Sequence, residues 1–236
     1  TSAEGEEGTI TNPEVHLWEP RPGTPYLYTL HATCGADVYD QTFGVRSIEV
    51  RGTQVLLNGK PLYFKGFCKH EDFTAHGRGF DPVLNVKDVN LIHWANANAV
   101  RTSHYPNDPY FLSLCDEYGL YVIGETNLET HGTWQKLGAD GSDEWTLPGA
   151  RPEWRENVLA RAEAMLERDK NHPAILIWSC GNESYAGEDI LAMSQFFHDH
   201  DPGRLVHYEG VFHCRAFDAI SDMESRMYAK PWEIRE

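Results

Sequence analysis

The segment most informative about the fold is Asn171-His-Pro-Ala-Ile-Leu-Ile-Trp-Ser-Cys-Gly-Asn-Glu-Ser184. Its apolar run, residues 174–178, is too short to cross a membrane and is typical of a strand buried on both faces of a parallel sheet. Polar residues follow at once in Gly181-Asn-Glu-Ser184. The pattern therefore predicts that a strand delivers the Glu183 carboxylate to the carboxyl end of a parallel α/β barrel, where the active sites of such barrels lie.

Strand and helix patterns alternate along much of the chain, which is typical of a parallel sheet. Asp108-Pro109 predicts the start of one helix, and Gly119 predicts its end. Six segments have the composition of barrel strands, and they span residues 65–70, 99–104, 120–125, 174–178, 205–210 and 219–228. A complete (β/α)8 barrel needs eight strands and about 250 residues. We therefore predict an α/β fold in which residues 51–236 form an incomplete TIM barrel of about six strands.

The first 50 residues have a different pattern. Side chains alternate along residues 26–33 as in a half-buried β-strand, and residues 40–50 continue in the same style. A region this short cannot close a β-sandwich of roughly 100 residues, so residues 1–50 are predicted to be the end of a β-sandwich domain. Asn58-Gly59 then lies between two apolar runs and predicts a tight hairpin turn.

Composition and charge exclude several classes of function. The formal net charge is -16 at pH 7, which argues against a nucleic-acid surface and against binding to anionic membranes. No apolar run has the length of a transmembrane helix. The first eight residues contain neither an initiator Met nor the apolar core of a signal peptide, so we expect a processed chain or a fragment.

The five cysteines are scattered along the chain and never have the CxxC spacing of zinc or redox motifs. Their number is odd, so they do not suggest a disulfide framework. This usage predicts reduced, buried thiols in a cytoplasmic protein.

Polar side chains recur where the predicted strands end, and in a barrel such groups converge on one mouth. They are His70, Glu71, Arg101, His104, Glu125, Glu129, His131, Asn182, Glu183, Glu209 and Tyr228. Taken singly, several have a structural alternative. His70 and His104 could be satisfied structural histidines, Arg101 could only pair with a neighbouring carboxylate, and Glu209 is more typical of a structural residue than of a catalytic one.

Glu129-Thr-His131 has a spacing that places both side chains on the same side of an extended segment. With Glu183 as a third ligand, these residues could hold a metal ion. Two carboxylates and one imidazole favour Mg²⁺ or Mn²⁺ over a structural zinc ion. The alternative is that the pair binds no metal, because two ligands make a weak motif.

Glu183 is the strongest candidate for catalysis, because a carboxylate at a strand end can act as a general acid. Glycosidases built on barrels need two carboxylates, which lie roughly 5 Å apart when the anomeric configuration is retained. No second carboxylate of the chain has an equally good strand context. The pattern therefore predicts one half of a catalytic pair.

Five motifs resemble glycoside hydrolase family 2, the group of β-galactosidases and β-glucuronidases. They are Leu57-Asn-Gly-Lys-Pro-Leu62, Arg101-Thr-Ser-His-Tyr-Pro106, Cys115-Asp-Glu-Tyr-Gly-Leu-Tyr-Val122, Arg168-Asp-Lys-Asn-His-Pro173 and Trp178-Ser-Cys-Gly-Asn-Glu-Ser184. The resemblance spans residues 17–228. In this family an immunoglobulin-like sandwich precedes the barrel, so residues 1–50 would end that sandwich and residues 51–236 would supply the first barrel strands.

The resemblance implies roles for the residues around the sugar. Glu183 would be the general acid/base, and Asn182 would contact the sugar 2-hydroxyl group. His70 and His104 would line the sugar-binding site.

It also implies a nucleophile and a metal. The family nucleophile is a Glu on a later strand, so no residue of this chain is assigned that role and the isolated chain is expected to be inactive. Arg101 would lie near the nucleophile, and Tyr228 would form a hydrogen bond with it. The Mg²⁺ ligands of β-galactosidases match Glu129, His131 and Glu183.

Motifs of two substrate classes are present. Lys69-His-Glu-Asp72 and Arg78-Gly-Phe-Asp81 resemble β-glucuronidases. The motifs that resemble β-galactosidases are Asn127-Leu-Glu-Thr-His-Gly132, Gly181-Asn-Glu-Ser184, Tyr208-Glu-Gly210 and Met227-Tyr-Ala229. This second set includes the acid/base and the metal ligands. The resemblance therefore favours a retaining exo-β-glycosidase that hydrolyses terminal β-D-galactosides, with a β-glucuronidase as the first alternative.

A second alternative is a non-catalytic module that binds sugar or functions only in an assembly. An incomplete barrel exposes a sheet edge and apolar helix faces. We therefore expect the chain to form homo-oligomers or to be completed by the rest of the protein. The expected ligand is a carbohydrate, with neither a nucleic acid nor a membrane as partner.

Overall fold

The computed structural model describes residues 8–136 and 139–233, so the outermost residues of both predicted domains, 1–7 and 234–236, lie outside the described residues. The N-terminal region forms two antiparallel sheets. They are the hairpin of β1 (Tyr28–Cys34) with β2 (Asp37–Phe43), and the sheet of β3 (Ile48–Arg51), β4 (Gln54–Leu57) and β5 (Lys60–Pro61). Most side chains of the hairpin are exposed, because no second sheet covers it within the described residues.

The turn predicted at Asn58-Gly59 is confirmed. The φ angle is 51° at Asn58 and 74° at Gly59, and a type I′ turn requires positive values at both positions. The Asn58 side chain also accepts the Ser47 N–H at 2.9 Å and donates to the Trp18 carbonyl at 3.0 Å. The turn is thereby tied to Trp18, which is fully buried in the main hydrophobic core.

The C-terminal region alternates strands and helices, as predicted for a TIM barrel. Its elements are β6 (Gly66–Lys69), α1 (Pro82–Trp94), β7 (Ala99–Thr102), α2 (Pro109–Tyr118), β8 (Tyr121–Glu125), β9 (Gln135–Lys136), β10 (Ala139–Asp140), α3 (Pro152–Asp169), β11 (Ile175–Ser179), α4 (Glu188–His200) and β12 (Leu205–His207). Strands β6, β7, β8, β11 and β12 form one parallel sheet in that spatial order. Strands β9 and β10 pair with each other in antiparallel orientation, between β8 and α3 in the sequence.

Strand β11 contains residues 175–178 of the apolar run, and every residue of the strand is buried. It lies between β8 and β12 in the sheet. On one face Trp178 stacks on Phe197 of α4, with ring centroids 5.6 Å apart. A strand covered on both faces needs apolar side chains at successive positions, so the burial explains the unbroken apolar run.

The prediction of a sixth strand over residues 219–228 is wrong. A 3₁₀ helix, Arg215–Ile220, occupies the start of this segment, and the sheet of the described residues has five strands. Asp222 N donates to the Val206 carbonyl at 2.9 Å, but the Val206 N–H donates to the Asp222 side chain at 2.7 Å. The Asp222 carboxylate thus takes the β12 donor that the backbone of a further strand would need.

Helix α2 begins and ends where the sequence predicts. Asp108 caps its first turn by accepting the Tyr110 N–H at 2.8 Å, and Pro109 occupies the first helical position. Gly119 ends the helix in the left-handed conformation, with φ at 70°. None of the helices described is long and apolar enough to cross a membrane.

The expectation of buried cysteines is wrong for two of the five. Cys115 and Cys180 are buried and Cys214 is half-buried, whereas Cys34 and Cys68 are exposed. Cys34 ends β1 in the open hairpin. Cys68 lies on β6, which is one of the two edge strands of the parallel sheet in the described part of the chain.

Candidate active site

The carboxyl ends of the parallel strands meet in one polar cluster. Strand β7 contains Arg101, β8 ends at Glu125, and β11 ends at Ser179 and is followed by Asn182 and Glu183. Parallel strands place their carboxyl ends at one edge of the sheet. Arg101 therefore forms hydrogen bonds with Glu125 and Asn182, which lie 24 and 81 positions away in the sequence.

Glu125 is the buried centre of this cluster. Arg101 Nε donates to Glu125 Oε2 at 2.5 Å, Ser179 Oγ donates to the same oxygen at 2.7 Å, and His104 Nδ1 lies 2.7 Å from Oε1. Burial alone would raise the pKa of Glu125, but the hydrogen bond from His104 and the charge of Arg101 outweigh burial and lower that pKa. Glu125 is thus held as a carboxylate with both oxygens engaged.

Arg101 connects Glu125 to the segment that follows β11. Its Nη2 donates to Asn182 Oδ1 at 3.0 Å, and Asn182 Nδ2 lies 3.3 Å from Glu183 Oε2. Burial opposes the charge of Arg101, but the adjacent Glu125 carboxylate raises the pKa of Arg101 overall. A hydrogen-bonded path with a fixed cation therefore runs from Glu125 to Glu183.

Glu183 has an unusual backbone conformation. Its φ angle is 36°, in the left-handed region that residues other than glycine rarely adopt. Glu209 Oε1 accepts the Glu183 N–H at 2.7 Å, and Trp134 Nε1 donates to the Glu183 carbonyl at 2.8 Å. The Glu183 side chain keeps 18% of its surface exposed, so its carboxylate is accessible while its backbone is held.

Glu209 lies two residues beyond β12 and is buried. Burial raises the pKa of Glu209, and the hydrogen bond from the Glu183 N–H partly opposes that rise. Its other oxygen, Oε2, has no hydrogen-bond partner among the residues described. The direct contact of this side chain with the backbone of Glu183 could not be predicted from the sequence.

The predicted metal ligands lie together. One ligand atom from each of Glu129, His131 and Glu183 lies within 4.8 Å of the other two, and His131 Nδ1 is 3.6 Å from Glu183 Oε2. A parallel β-bridge between Glu129 and Asn182 joins the segment that contains Glu129 and His131 to the segment that contains Glu183. Two carboxylates and one imidazole at these separations fit a small divalent cation such as Mg²⁺, after a small adjustment of the side chains.

The two histidines predicted to line the sugar site are neighbours. The ring centroids of His70 and His104 are 5.3 Å apart in an edge-to-face arrangement. His70 is exposed, and His104 is half-buried beside Glu125. Tyr228 does not join the cluster: it is 90% exposed and forms no hydrogen bond within the described part of the chain.

Ser179, His207 and Trp134 belong to the cluster but were not identified from the sequence. His207 Nδ1 lies 3.0 Å from Ser179 Oγ, and burial lowers the pKa of His207 to about 4, so its imidazole is neutral near pH 7. Ser179 and His207 are the last residues of β11 and β12, and this position was the signal for them. Trp134 had no such signal, because its contact depends on the conformation of the loop.

A parallel α/β sheet with an accessible carboxylate and a paired cation at its strand ends has the arrangement found in TIM barrels, in which chemistry takes place at that edge. Residues 48–236 match the family model described as glycosyl hydrolases family 2, TIM barrel domain, and residues 1–46 match the model described as glycosyl hydrolases family 2. The chain therefore belongs to glycosyl hydrolases family 2, which confirms the family predicted from the motifs.

Curated relatives of this chain are β-galactosidases. The β-galactosidase of Halalkalibacterium halodurans is 54% identical over 226 residues, which are 93% of this chain and 22% of that protein. The β-galactosidase large subunit of Lactobacillus acidophilus is 46% identical over 99% of this chain and 38% of that protein. The chain thus spans between 22% and 38% of the length of these two relatives.

Similar solved structures are β-glucuronidases. The Faecalibacterium prausnitzii β-glucuronidase is 61% identical, with a TM-score of 0.77 over 88% of this chain and 35% of that one. The Ruminococcus gnavus β-glucuronidase in complex with D-glucuronic acid is 30% identical, with a TM-score of 0.78 over 95% of this chain and 38% of that one. The two comparisons thus agree on the family and differ in the sugar named.

Proposed function

We propose that the complete protein is a retaining exo-β-glycosidase that hydrolyses terminal β-D-galactosides, with Glu183 as its general acid/base. The observation that carries this proposal is the position of Glu183 at the carboxyl end of the sheet, with its backbone held on both sides and its carboxylate accessible. A general acid must reach the leaving-group oxygen in a defined geometry. Asn182, beside Glu183, would contact the sugar 2-hydroxyl group.

The reaction would use Glu183 twice. In the first step Glu183 donates its proton to the glycosidic oxygen while a carboxylate nucleophile bonds to the anomeric carbon and the bond to the leaving group breaks. In the second step Glu183 removes a proton from the water that attacks the same carbon and releases the nucleophile. His70 and His104 would line the sugar during both steps.

Two other carboxylates of the cluster, Glu125 and Glu209, are unsuited to be the nucleophile. Both oxygens of Glu125 are engaged by neighbouring side chains, and Glu125 is fully buried. Glu209 is buried against the Glu183 backbone. A retaining glycosidase needs a second carboxyl group roughly 5–5.5 Å from the acid. Glu129 lies beside Glu183 but is assigned to the metal site. The resemblance to family 2 implies a nucleophile on a later strand, so we assign it to a part of the complete protein beyond this chain, with Arg101 and Tyr228 in supporting roles.

We further propose Mg²⁺ as a cofactor. Glu129, His131 and Glu183 would hold the ion, and the proximity of their ligand atoms supports this assignment. When bound, the ion supplies positive charge next to the Glu183 carboxylate. Glu129 and His131 would also orient the Glu183 side chain within the cluster.

The substrate proposal rests on the grouping of Glu129, His131 and Glu183, which match the metal ligands of β-galactosidases, and on the names of the curated relatives. A specific observation favours a β-glucuronidase as the second candidate, namely the 61% identity to the Faecalibacterium prausnitzii β-glucuronidase. The two sugars differ at C6, where a glucuronide has a carboxylate. A direct comparison of the two substrates therefore decides between them.

The test uses the complete protein with nitrophenyl β-D-galactoside and nitrophenyl β-D-glucuronide. A higher kcat/KM on the galactoside supports our proposal, a higher value on the glucuronide establishes the second candidate, and hydrolysis of neither would favour a non-catalytic module. The Glu183→Gln variant should turn over a dinitrophenyl glycoside faster in azide and form a glycosyl azide of unchanged anomeric configuration. Unchanged azide response together with an unchanged pH profile would reject Glu183 as the acid/base.

We infer that the rest of the protein completes the barrel beside β6. Phe67 on β6 is 50% exposed and Trp94 at the end of α1 is 85% exposed, and both line a groove of about 470 Å³ between these elements. An edge strand in a barrel is normally paired. We also propose that the isolated chain self-associates through this face. A separate proposal, suggested by the scattered cysteines, is a cytoplasmic location.

A further inference from the structure

We propose that Glu209 and Trp134 are positioning residues, which hold the peptide groups of Glu183 in a left-handed conformation and thereby aim its carboxylate at the leaving group. This inference rests on the proposed function, in which Glu183 is the general acid/base. It adds two residues to the reaction and identifies how each acts. Neither was assigned a part in the reaction from the sequence.

The first argument is the contrast between the backbone and the side chain of Glu183. The backbone N–H and C=O form hydrogen bonds of 2.7 and 2.8 Å with Glu209 and Trp134. The contacts of the carboxylate are longer, at 3.3 Å to Asn182 Nδ2 and 3.6 Å to His131 Nδ1. Shorter bonds restrict orientation more, so the direction of the Glu183 side chain is set mainly through its backbone.

The second argument is the conformation that these bonds maintain. A glutamate with φ at 36° is strained relative to the usual regions of backbone space. Such a conformation persists only when the surroundings impose it. Glu209 holds the N–H side and Trp134 holds the C=O side, so loss of either partner allows the segment to relax and the carboxylate to turn away.

The third argument is that Glu209 is poorly explained as a purely structural residue. Glu209 is buried, and its Oε2 atom has no hydrogen-bond partner among the residues described. A buried polar atom without a partner lowers stability. The side chain therefore carries a stability penalty at this position, while its one hydrogen bond is made to the backbone of the proposed acid.

Trp134 is held firmly enough to act as the second support. Its side chain is buried, and its ring packs against Tyr185 and His213 with centroid distances of 5.6 and 5.1 Å. It also lies beside the His131 ring, at 5.5 Å. The indole of this loop residue is thereby fixed against the segments that follow β11 and β12, and its N–H is directed at the Glu183 carbonyl.

The experiment compares two leaving groups in the complete protein, on the sugar that it hydrolyses. An alkyl glycoside needs protonation by the acid, whereas a dinitrophenyl glycoside does not. For Glu209→Met, which removes the acceptor, and Trp134→Phe, which removes the donor, kcat/KM on the alkyl glycoside should fall by about tenfold or more, within the range contributed by general acids. On the dinitrophenyl glycoside the first-step rate should change less than about threefold.

Two controls make the result specific. Glu209→Gln retains an oxygen that can accept the Glu183 N–H, so its loss on the alkyl glycoside should be smaller than that of Glu209→Met. Asp189→Asn alters another buried carboxylate with an unpaired oxygen, located in α4 and without a hydrogen bond to Glu183 among the residues described. It should leave the ratio of the two rates unchanged.

Equal losses on both substrates, or no loss, would overturn the inference, because a purely structural role cannot distinguish leaving groups. If Glu209→Met does not fold, Trp134→Phe decides the question by the same ratio. The Glu183→Gln variant separates this inference from the proposed function. Azide rescue of Glu183→Gln together with an unchanged ratio in both positioning variants rejects only the inference, whereas absence of rescue rejects the role of Glu183 itself.

Discussion

Glu125 and Glu183 are two carboxylates in one hydrogen-bonded cluster, yet their surroundings are opposite. Glu125 is fully buried, and Arg101, His104 and Ser179 engage both of its oxygens. Glu183 has long contacts at its carboxylate, short contacts at its backbone, and an exposed fraction of 18%. A position at the end of a strand therefore does not define the role of a carboxylate. One whose oxygens are all engaged by hydrogen bonds orients its neighbours, whereas one that is accessible and weakly bonded can exchange a proton.

The largest effect is expected when Glu125, whose two carboxylate oxygens are both engaged by neighbouring side chains, is replaced. Glu125→Gln removes the buried carboxylate that pairs with the half-buried Arg101 cation, so the free energy of unfolding should fall by about 3–5 kcal/mol. Activity should fall similarly on good and poor leaving groups, because the cluster is disturbed without selective loss of the acid. Urea unfolding and kinetics with both glycosides measure these effects. A loss confined to poor leaving groups would show that Glu125 and Glu183 do not have separate roles.

Low pH should reduce the contribution of the Glu125 cluster to the free energy of unfolding. The pKa of Glu125 is lowered in the fold, so its contribution to stability is present above the pKa of the unfolded chain, ordinarily about 4.3, and is lost as the pH falls through the lowered value. The free energy of unfolding should therefore decrease as the pH falls from about 5. This acid-dependent decrease should be smaller in Glu125→Gln, and identical pH curves for the two proteins would contradict the assignment.

Removal of Mg²⁺ should affect the accessible carboxylate of Glu183 and have little effect on the buried carboxylate of Glu125. Chelation should lower kcat, and added Mg²⁺ should restore it, with little change in unfolding. In Glu129→Gln the concentration of Mg²⁺ needed for half-maximal restoration should rise by at least about tenfold. An unchanged Mg²⁺ requirement in this variant would place the ion elsewhere.

The smallest effect is expected at an exposed ion pair that resembles Arg101 and Glu125 only in composition. Arg215 makes two hydrogen bonds to Glu224, but both side chains are exposed. Water already solvates exposed charges, so such pairs contribute little. Arg215→Gln should leave thermal unfolding and kcat/KM unchanged within error, and a large loss would mean that the segment after β12 is coupled to the cluster.

Local patterns were sufficient to predict several elements. Asp108 and Gly119 delimit α2 by capping, and Asn58-Gly59 forms its turn, because these outcomes depend on neighbouring residues alone. The prediction of a sixth strand was wrong because it depended on a distant partner. Residues 219–228 have a composition that suits a strand, but a strand forms in a sheet only if a neighbouring strand pairs with it. The Asp222 side chain occupies the β12 donor instead, which no local pattern reveals.

Local patterns predict an apolar strand that ends just before Glu183 and a segment with Glu129 and His131 on one side, because hydrophobic periodicity depends on successive residues. They do not predict which atoms of distant segments come into contact. The saturation of Glu125 and the support of Glu183 by Glu209 and Trp134 join residues from 21 to 54 positions apart. Such contacts depend on strand register and on a left-handed backbone at Glu183, which arise only when the sheet and its loops have packed.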